Sequence, residues 1–132
     1  MARKTKKVTL EDRGEQKVFL LTEMPATEAE AWALELFFAI ANAGVEIPDD
    51  LVEIGFAGLA QVGLQALGKV PYDKAKPLLD RMMNCVQIIP NPNDDRVVRS
   101  LIESDIEDVS TRLKLRKEVF SLHTDFFKVA TV

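Results

Sequence analysis

The chain has 132 residues, of which 47% are hydrophobic and 29% charged, and its formal net charge is −4 at pH 7. This length predicts a single domain over residues 1–132 whose core needs no disulfide or metal, and the composition excludes the disordered and fibrous classes. The acidic balance disfavours a dedicated nucleic-acid binder, so we expect no nucleic acid among the partners.

The two ends of the chain are predicted to lie outside the folded unit. The basic residues near the start favour a flexible, solvated arm over residues 1–5 rather than a nucleic-acid contact, and residues 128–132 are expected to fray. The charged start offers no apolar signal-peptide core. Because Cys85 is the only cysteine, no internal disulfide can form, and a reducing cytoplasm is the expected location.

The first elements are predicted to be a hairpin and a helix. Two β-prone runs, Lys7–Leu10 and Gln16–Leu21, flank a loop with a glycine, which is typical of a β-hairpin. Thr27 and Glu30 form a capping box for a helix that extends to Ala43. The polar side of this helix is narrow, because only Glu28, Glu35 and Asn42, spaced seven residues apart, line up along one face. We therefore expect the apolar side chains on the rest of the circumference to be buried: Trp32, Leu34, Leu36, Phe37, Phe38 and Ile40.

The central stretch from Leu51 to Leu67 is apolar on nearly every side and carries three glycines, Gly55, Gly58 and Gly63. It is predicted to be a helix buried in the centre of the domain or against another chain, with the glycines permitting close backbone approach. A membrane span is the alternative. The run is shorter than the roughly 20 apolar residues that a span needs, so no membrane partner is expected.

The second half is predicted to contain two more helices and a second hairpin. Asp73 caps a helix whose buried face includes Leu78 and Met82, with Pro77 near its start or at a kink. Strands at Val86–Ile89 and Arg96–Leu101 flank a polar loop. Ser104 and Glu107 form a capping box for a last helix from Asp105 to Phe127. The expected fold class is a predominantly helical α+β protein with about four helices and two short β-hairpins.

The sequence offers little for catalysis. With one histidine and one cysteine, it cannot build the usual zinc site, and no glycine-rich phosphate loop follows a strand. A nucleophile–base pair of Cys85 and His123 is the alternative, although a lone cysteine on an apolar helix face is more typical of packing. We expect no enzyme activity, no cofactor and no metal.

The last helix is the most informative element. Projected at 100° per residue, two apolar stripes enclose a line of basic residues, which favours a surface for an amphipathic partner that carries acidic residues. In the alternative interpretation, the arginine stems cover apolar surface and their charges pair with acids of this chain, such as Glu35 or Asp80. The candidate partner-binding residues are Arg112, Arg116, Phe120, His123, Phe126 and Phe127.

The first, central and last helices together carry more apolar surface than a small domain readily covers. We therefore expect a homo-oligomer or a bound protein partner.

Five short motifs follow one another along the chain: VTLEDRG (residues 8–14), TEAEAW (27–32), KAKPLLD (74–80), IESDIED (102–108) and LRKEVFSLH (115–123). Their order resembles that of the tail assembly chaperones of long-tailed bacteriophages. The resemblance covers nearly the whole chain, but the motifs are capping and packing patterns rather than a chemical signature.

The resemblance implies a non-enzymatic protein of the host cytoplasm that is absent from the mature virion. Such chaperones bind the long, hydrophobic, helical tape-measure protein, keep it soluble and support assembly of the tail tube, which makes the tail tube protein a second candidate partner. The alternative is a structural tail or head-to-tail connector component that is retained in the virion.

Overall fold

The structure is a computed structural model that describes the backbone of residues 3–42 and 68–130, and side chains as far as His123. The apolar stretch from Leu51 to Leu67, for which the sequence predicts a helix, lies outside the described residues.

The described residues form one four-stranded antiparallel sheet and three α-helices, an α+β arrangement. The prediction of about four helices with two short β-hairpins is therefore wrong. The reason is that the second strand of the first hairpin pairs with the first strand of the second. In chain order the elements are β1 Thr5–Asp12, β2 Glu15–Thr22, α1 Ala26–Asn42, α2 Tyr72–Met83, β3 Val86–Ile89, β4 Arg99–Ser100, a 3-10 helix Glu103–Asp105, and α3 Val109–Ala130.

Apolar residues at alternate positions place one face of the sheet against the core. Phe19 lies opposite Ile88, and Leu21 lies opposite Val86, across the β2–β3 pair. All four side chains are buried, as the two-residue period of a half-covered strand requires. The strand order is β1-β2-β3-β4, so β1 is an edge strand.

The turn between β1 and β2 contains only Arg13 and Gly14, because Asp12 pairs with Glu15. Both turn residues have positive φ, 52° for Arg13 and 84° for Gly14. Two-residue hairpin loops with positive φ at both positions match the twist of the flanking strands. This conformation is unusual for an arginine. It is stabilised because Asp108 accepts hydrogen bonds from the backbone N–H and from Nε of Arg13, both at 2.9 Å.

The first helix is less buried than the sequence predicts. Trp32, Ala33, Leu36 and Ile40 form a single buried stripe. Leu34 and Phe38 are among the exposed large apolar side chains, which corrects the prediction that the apolar residues are buried around most of the circumference. The helix begins at Ala26, so Thr27 lies within it.

The second helix has the amphipathic pattern that the sequence indicates. Ala75, Leu78 and Met82 are buried. Asp73 lies in the first turn rather than at the cap position, which is Pro71, and Pro77 lies inside the helix.

The segment before the last helix differs most from the prediction. The strand β4 has only two residues, and Glu103–Asp105 is a 3-10 helix, so α3 begins at Val109 rather than at Asp105. The predicted capping box fails because the backbone N–H of Glu107 donates to the distant carboxylate of Asp12.

At the start of the chain, part of the predicted flexible arm is hydrogen-bonded to the segment that follows β2. The backbone N–H of Lys4 donates to Glu23 Oε1 at 2.8 Å, and the carbonyl of Lys4 accepts from the backbone of Glu23 at 3.0 Å. Thr5 already belongs to β1.

Asp12 joins the sheet to the start of α3. Its fully buried carboxylate accepts the Lys17 ammonium at 2.8 Å and the backbone N–H groups of Glu107 and Asp108, each at 2.9 Å. Burial by itself raises the pKa of this carboxyl, but the hydrogen bonds from Lys17, Glu107 and Asp108 outweigh it and hold the pKa well below its usual range.

A second buried carboxylate extends this connection. Arg99 donates two hydrogen bonds to Asp105, each at 2.7 Å, in the bidentate geometry that suits a guanidinium. The backbone N–H of Ile102 donates to the same carboxylate at 2.8 Å, and Lys17 donates to the Asp105 carbonyl. Lys17 therefore connects the two carboxylate sites.

Replacing Asp12 with asparagine is expected to destabilise the fold by about 3 kcal/mol, because it leaves a partly buried Lys17 without its counter-charge. Urea unfolding at pH 7 measures this change. Asp95→Asn is the matched control, because Asp95 makes an exposed ion pair with Lys7, and exposed pairs contribute little. Equal destabilisation by the two variants would contradict the role given to Asp12.

Stability is also expected to depend on pH through Asp12. Because its pKa is lowered in the folded state from the ordinary 3.8, its stabilisation is fully present above that value and is lost as the pH falls below it. Urea unfolding between pH 7 and pH 3 should show a smaller loss of stability in Asp12→Asn than in the wild type. Parallel losses in the two proteins would show that Asp12 does not carry the effect.

Candidate partner-binding surface

The six residues that the sequence nominates for partner binding are divided by the structure. Phe120 and His123 are buried in the core. Arg112 and Arg116 are partly buried on α3. Phe126 and Phe127 belong to α3, but the structure describes only their backbone. Of the four residues whose side chains are described, only the two arginines are therefore placed where a partner could reach them without opening the core.

Phe120 is held by α1. Its ring packs edge-on against Trp32, with 6.2 Å between ring centroids, and only 6% of the residue is exposed. Trp32 also donates from Nε1 to the Leu78 carbonyl at 3.1 Å, so one indole connects α1, α2 and α3. The structure corrects the interpretation of Phe120 as a partner anchor, because its contact surface is already used within the chain.

His123 is likewise used within the fold. Its Nε2 accepts the backbone N–H of Met24 at 3.0 Å, while Nδ1 lies 2.8 Å from the Val119 carbonyl. An Nε2 that accepts must lack a proton, and an Nδ1 beside a carbonyl must donate, so these contacts assign the Nδ1–H tautomer. The ring also lies against Trp32, with 5.6 Å between centroids. His123 is therefore a packing residue that connects α3 to the segment between β2 and α1.

The alternative nucleophile, Cys85, is buried just after α2. Its thiol points to the Arg81 carbonyl at 3.7 Å. Burial, with a further contribution from Glu28, raises the pKa of the Cys85 thiol to about 11, the opposite of what a reactive cysteine needs. Since both nitrogens of His123 are engaged elsewhere, the geometry does not support a Cys85–His123 pair.

Among the α3 side chains that the structure describes, the exposed large apolar ones lie at the start of the helix. Of the two apolar stripes predicted for this helix, one includes Val109 and Leu113, which are 72% and 58% exposed. The other includes Leu115 and Val119, which are fully buried. At 100° per residue, Val109, Leu113 and the two arginines cover an arc of about 100°. The first two turns of α3 therefore present apolar and basic side chains together.

The acids that the sequence suggests as partners for these arginines are occupied. Glu35 pairs with Arg81, and Asp80 pairs with Lys76 at 2.7 Å. Among the described residues, neither Arg112 nor Arg116 forms an ion pair. Arg116 Nε is also buried without a hydrogen-bond partner in this part of the chain. Within residues 3–42 and 68–123, the intramolecular pairing that the sequence left open is thus absent at both arginines.

The exposed side of α2 lies beside these arginines. Burial lowers the pKa of Arg116, as does the charge of Arg112, while Asp80 and Tyr72 act in the opposite direction. Tyr72 is 71% exposed. We use the term α2/α3 surface for the set formed by Tyr72, Lys76, Asp80, Val109, Arg112, Leu113 and Arg116.

Sequence reasoning missed the contribution of α2 to this surface. Tyr72, Lys76 and Asp80 recur every four residues, which places them on one helix face. That spacing was a usable signal for a polar face with an aromatic residue at one end. The spacing does not show which neighbouring helix lies beside this face, because that depends on the tertiary fold.

Neither a metal site nor a membrane span is found in the residues that the structure describes. No group of three or more histidine, cysteine, aspartate or glutamate side chains there could hold a metal ion. No helix in the same residues is long and apolar enough to cross a membrane. Known proteins do not identify the site either: the chain matches no family model, no curated protein and no solved structure.

Phe120→Ser is expected to lower the unfolding free energy by about 3–5 kcal/mol, because it removes a buried aromatic ring that packs on Trp32. Leu113→Ser, on the same helix but exposed, should change it by less than about 0.5 kcal/mol. Urea denaturation followed by circular dichroism measures both variants. A stable, cooperative Phe120→Ser variant would show that Phe120 does not belong to the core.

Proposed function

We propose that this chain is a bacteriophage tail assembly chaperone that binds the hydrophobic helical tape-measure protein, keeps it soluble and supports assembly of the tail tube. It would act in the host cytoplasm without enzymatic chemistry and leave before the virion is complete. The observation that carries the proposal is the apolar surface that the helices leave exposed.

Seven large apolar side chains are exposed in the described residues, and five of these lie on the helices. Exposed apolar side chains on rigid helices can cover the apolar face of another amphipathic helix. A tape-measure chain rich in such helices would aggregate if left uncovered. The five helical residues are Leu34, Phe38, Tyr72, Val109 and Leu113.

The order of motifs along the chain adds a second line of support. It resembles that of the tail assembly chaperones from the first hairpin to the last helix. Residues 115–123, the LRKEVFSLH motif, supply core contacts of α3 through Leu115, Val119 and Phe120. This motif therefore bears on the fold of the chaperone, whereas the exposed residues around it bear on binding.

Coexpression with a tape-measure fragment from the same phage tests the proposal. The wild-type chain should keep the fragment soluble and co-purify with it. A Val109→Ser/Leu113→Ser variant should recover at least about tenfold less fragment, since both changes remove exposed apolar surface. Val97→Ser/Ile102→Ser is the control, because these side chains are also exposed but lie outside the α-helices. A fragment that is equally soluble without the chain would contradict the proposal.

A second measurement separates the chaperone from a structural tail or connector component. Mass spectrometry of purified virions should find this chain far below stoichiometric amounts. Stoichiometric recovery would favour the structural alternative and exclude a chaperone that leaves the particle.

A further inference from the structure

Arg112 and Arg116 are two like charges placed one turn apart on α3. Positions i and i+4 are neighbours on a helix surface, and like charges there are unfavourable. Neither arginine has an ion-pair partner among the described residues, and Arg116 Nε is buried without a hydrogen-bond partner there. The cost of the arrangement is therefore not offset within this part of the chain.

The nearby acids are held by other bases. Asp80 accepts from Lys76 at 2.7 Å, and Glu35 accepts from Arg81. On α3 itself, Glu118 accepts from Lys6 of β1 at 2.6 Å. Asp80 is close enough to influence Arg116 electrostatically but does not bond to it. None of these described acids therefore supplies a carboxylate to the arginine pair, so a partner could supply one.

The surroundings of the pair show what else that partner must carry. Val109 and Leu113 flank the arginines on α3 and are exposed, and Tyr72 is exposed on α2. Aromatic residues and arginines are the side chains most often found at interface hot spots. A free anion would pair with the two arginines but would leave these apolar side chains exposed to water.

We propose that the α2/α3 surface is a receptor for an acidic amphipathic helix, in which carboxylates one turn apart meet Arg112 and Arg116 and flanking apolar side chains cover Val109, Leu113 and Tyr72. This inference rests on the proposed function and names the class of tape-measure segment that the chaperone recognises. Guanidinium–carboxylate pairs give such a site geometric specificity.

The site differs from a general hydrophobic binding surface in its dependence on charge. A neutral helix of equal apolarity keeps the apolar contacts but leaves the arginines unpaired, so it binds less tightly. The acidic side chains of the partner also steer its approach to the basic pair, and salt weakens this contribution.

The test uses the full chain and two synthetic helical peptides. One carries two glutamates at i and i+4 beside a leucine stripe, and its twin carries glutamine at those two positions. Fluorescence anisotropy should show that the wild type binds the glutamate peptide at least about tenfold more tightly, the discrimination expected for two charge-assisted contacts. Raising the salt to about 0.5 M should reduce that preference to about twofold, because the charges are then screened.

Arg112→Gln/Arg116→Gln should abolish the preference for the glutamate peptide. Lys114→Gln/Lys117→Gln is the matched control, because it removes the same charge from exposed positions of the same helix, and it should keep the preference within about twofold of the wild type, since exposed charges away from a contact contribute little. Arg112→Glu/Arg116→Glu with a lysine version of the peptide should restore tight binding, which shows that the variant surface is folded.

Three results would overturn the proposal: no binding of the glutamate peptide by the wild type, equal binding of the two peptides, or an equal loss of preference in the lysine control. Failure of the proposed function is a separate result. If the wild type does not hold a tape-measure fragment soluble, the chaperone proposal fails. If it does, and Arg112→Gln/Arg116→Gln holds the same fragment equally well, only the acidic-helix proposal fails.

Discussion

The buried carboxylate of Asp12 determines how the sheet and the last helix are joined. A carboxylate in this position is stable only if it is paired and hydrogen-bonded, and Lys17 together with the backbone N–H groups of Glu107 and Asp108 provides these contacts. These bonds fix where α3 begins and therefore which of its turns lie over the core. The exposure of Val109 and Leu113, on which the binding proposal rests, follows from that placement.

Different turns of α3 contribute to the core and to the exposed surface. Its later turns contact Trp32 of α1 through Phe120 and His123, whereas its first two turns leave basic and apolar side chains open beside α2. The proposed partner surface can therefore change without affecting the core contacts of the later turns. The proposed binding needs no unfolding, because these side chains are already exposed in the folded chain.

The sequence predicted local elements well where periodicity is strong. The first hairpin and the buried stripe of α2 follow from their patterns, as does the short run of β3. It could not predict that β2 and β3 pair, because the sequence pattern of each hairpin is complete without the other. The pairing of the two hairpins depends on how the helices between them pack. Asp12 was not recognised for a related reason. Next to an arginine and a glycine it has the pattern of a turn residue, and its partners at 107 and 108 are distant in sequence.

The binding surface shows a different limit of sequence reasoning. A helical projection places Leu113 and Phe120 on one stripe, because it discards position along the axis. Trp32 covers only the later turn, so Phe120 is core and Leu113 is exposed.

Hydroxyl-radical footprinting of the chain with and without a bound tape-measure fragment shows whether the α2/α3 surface is covered in the complex. Oxidation of Tyr72 and Leu113 is expected to fall in the complex, while that of Val97 and Ile102 stays unchanged. A complex in which Tyr72 and Leu113 stay fully reactive would contradict the proposed role of the α2/α3 surface.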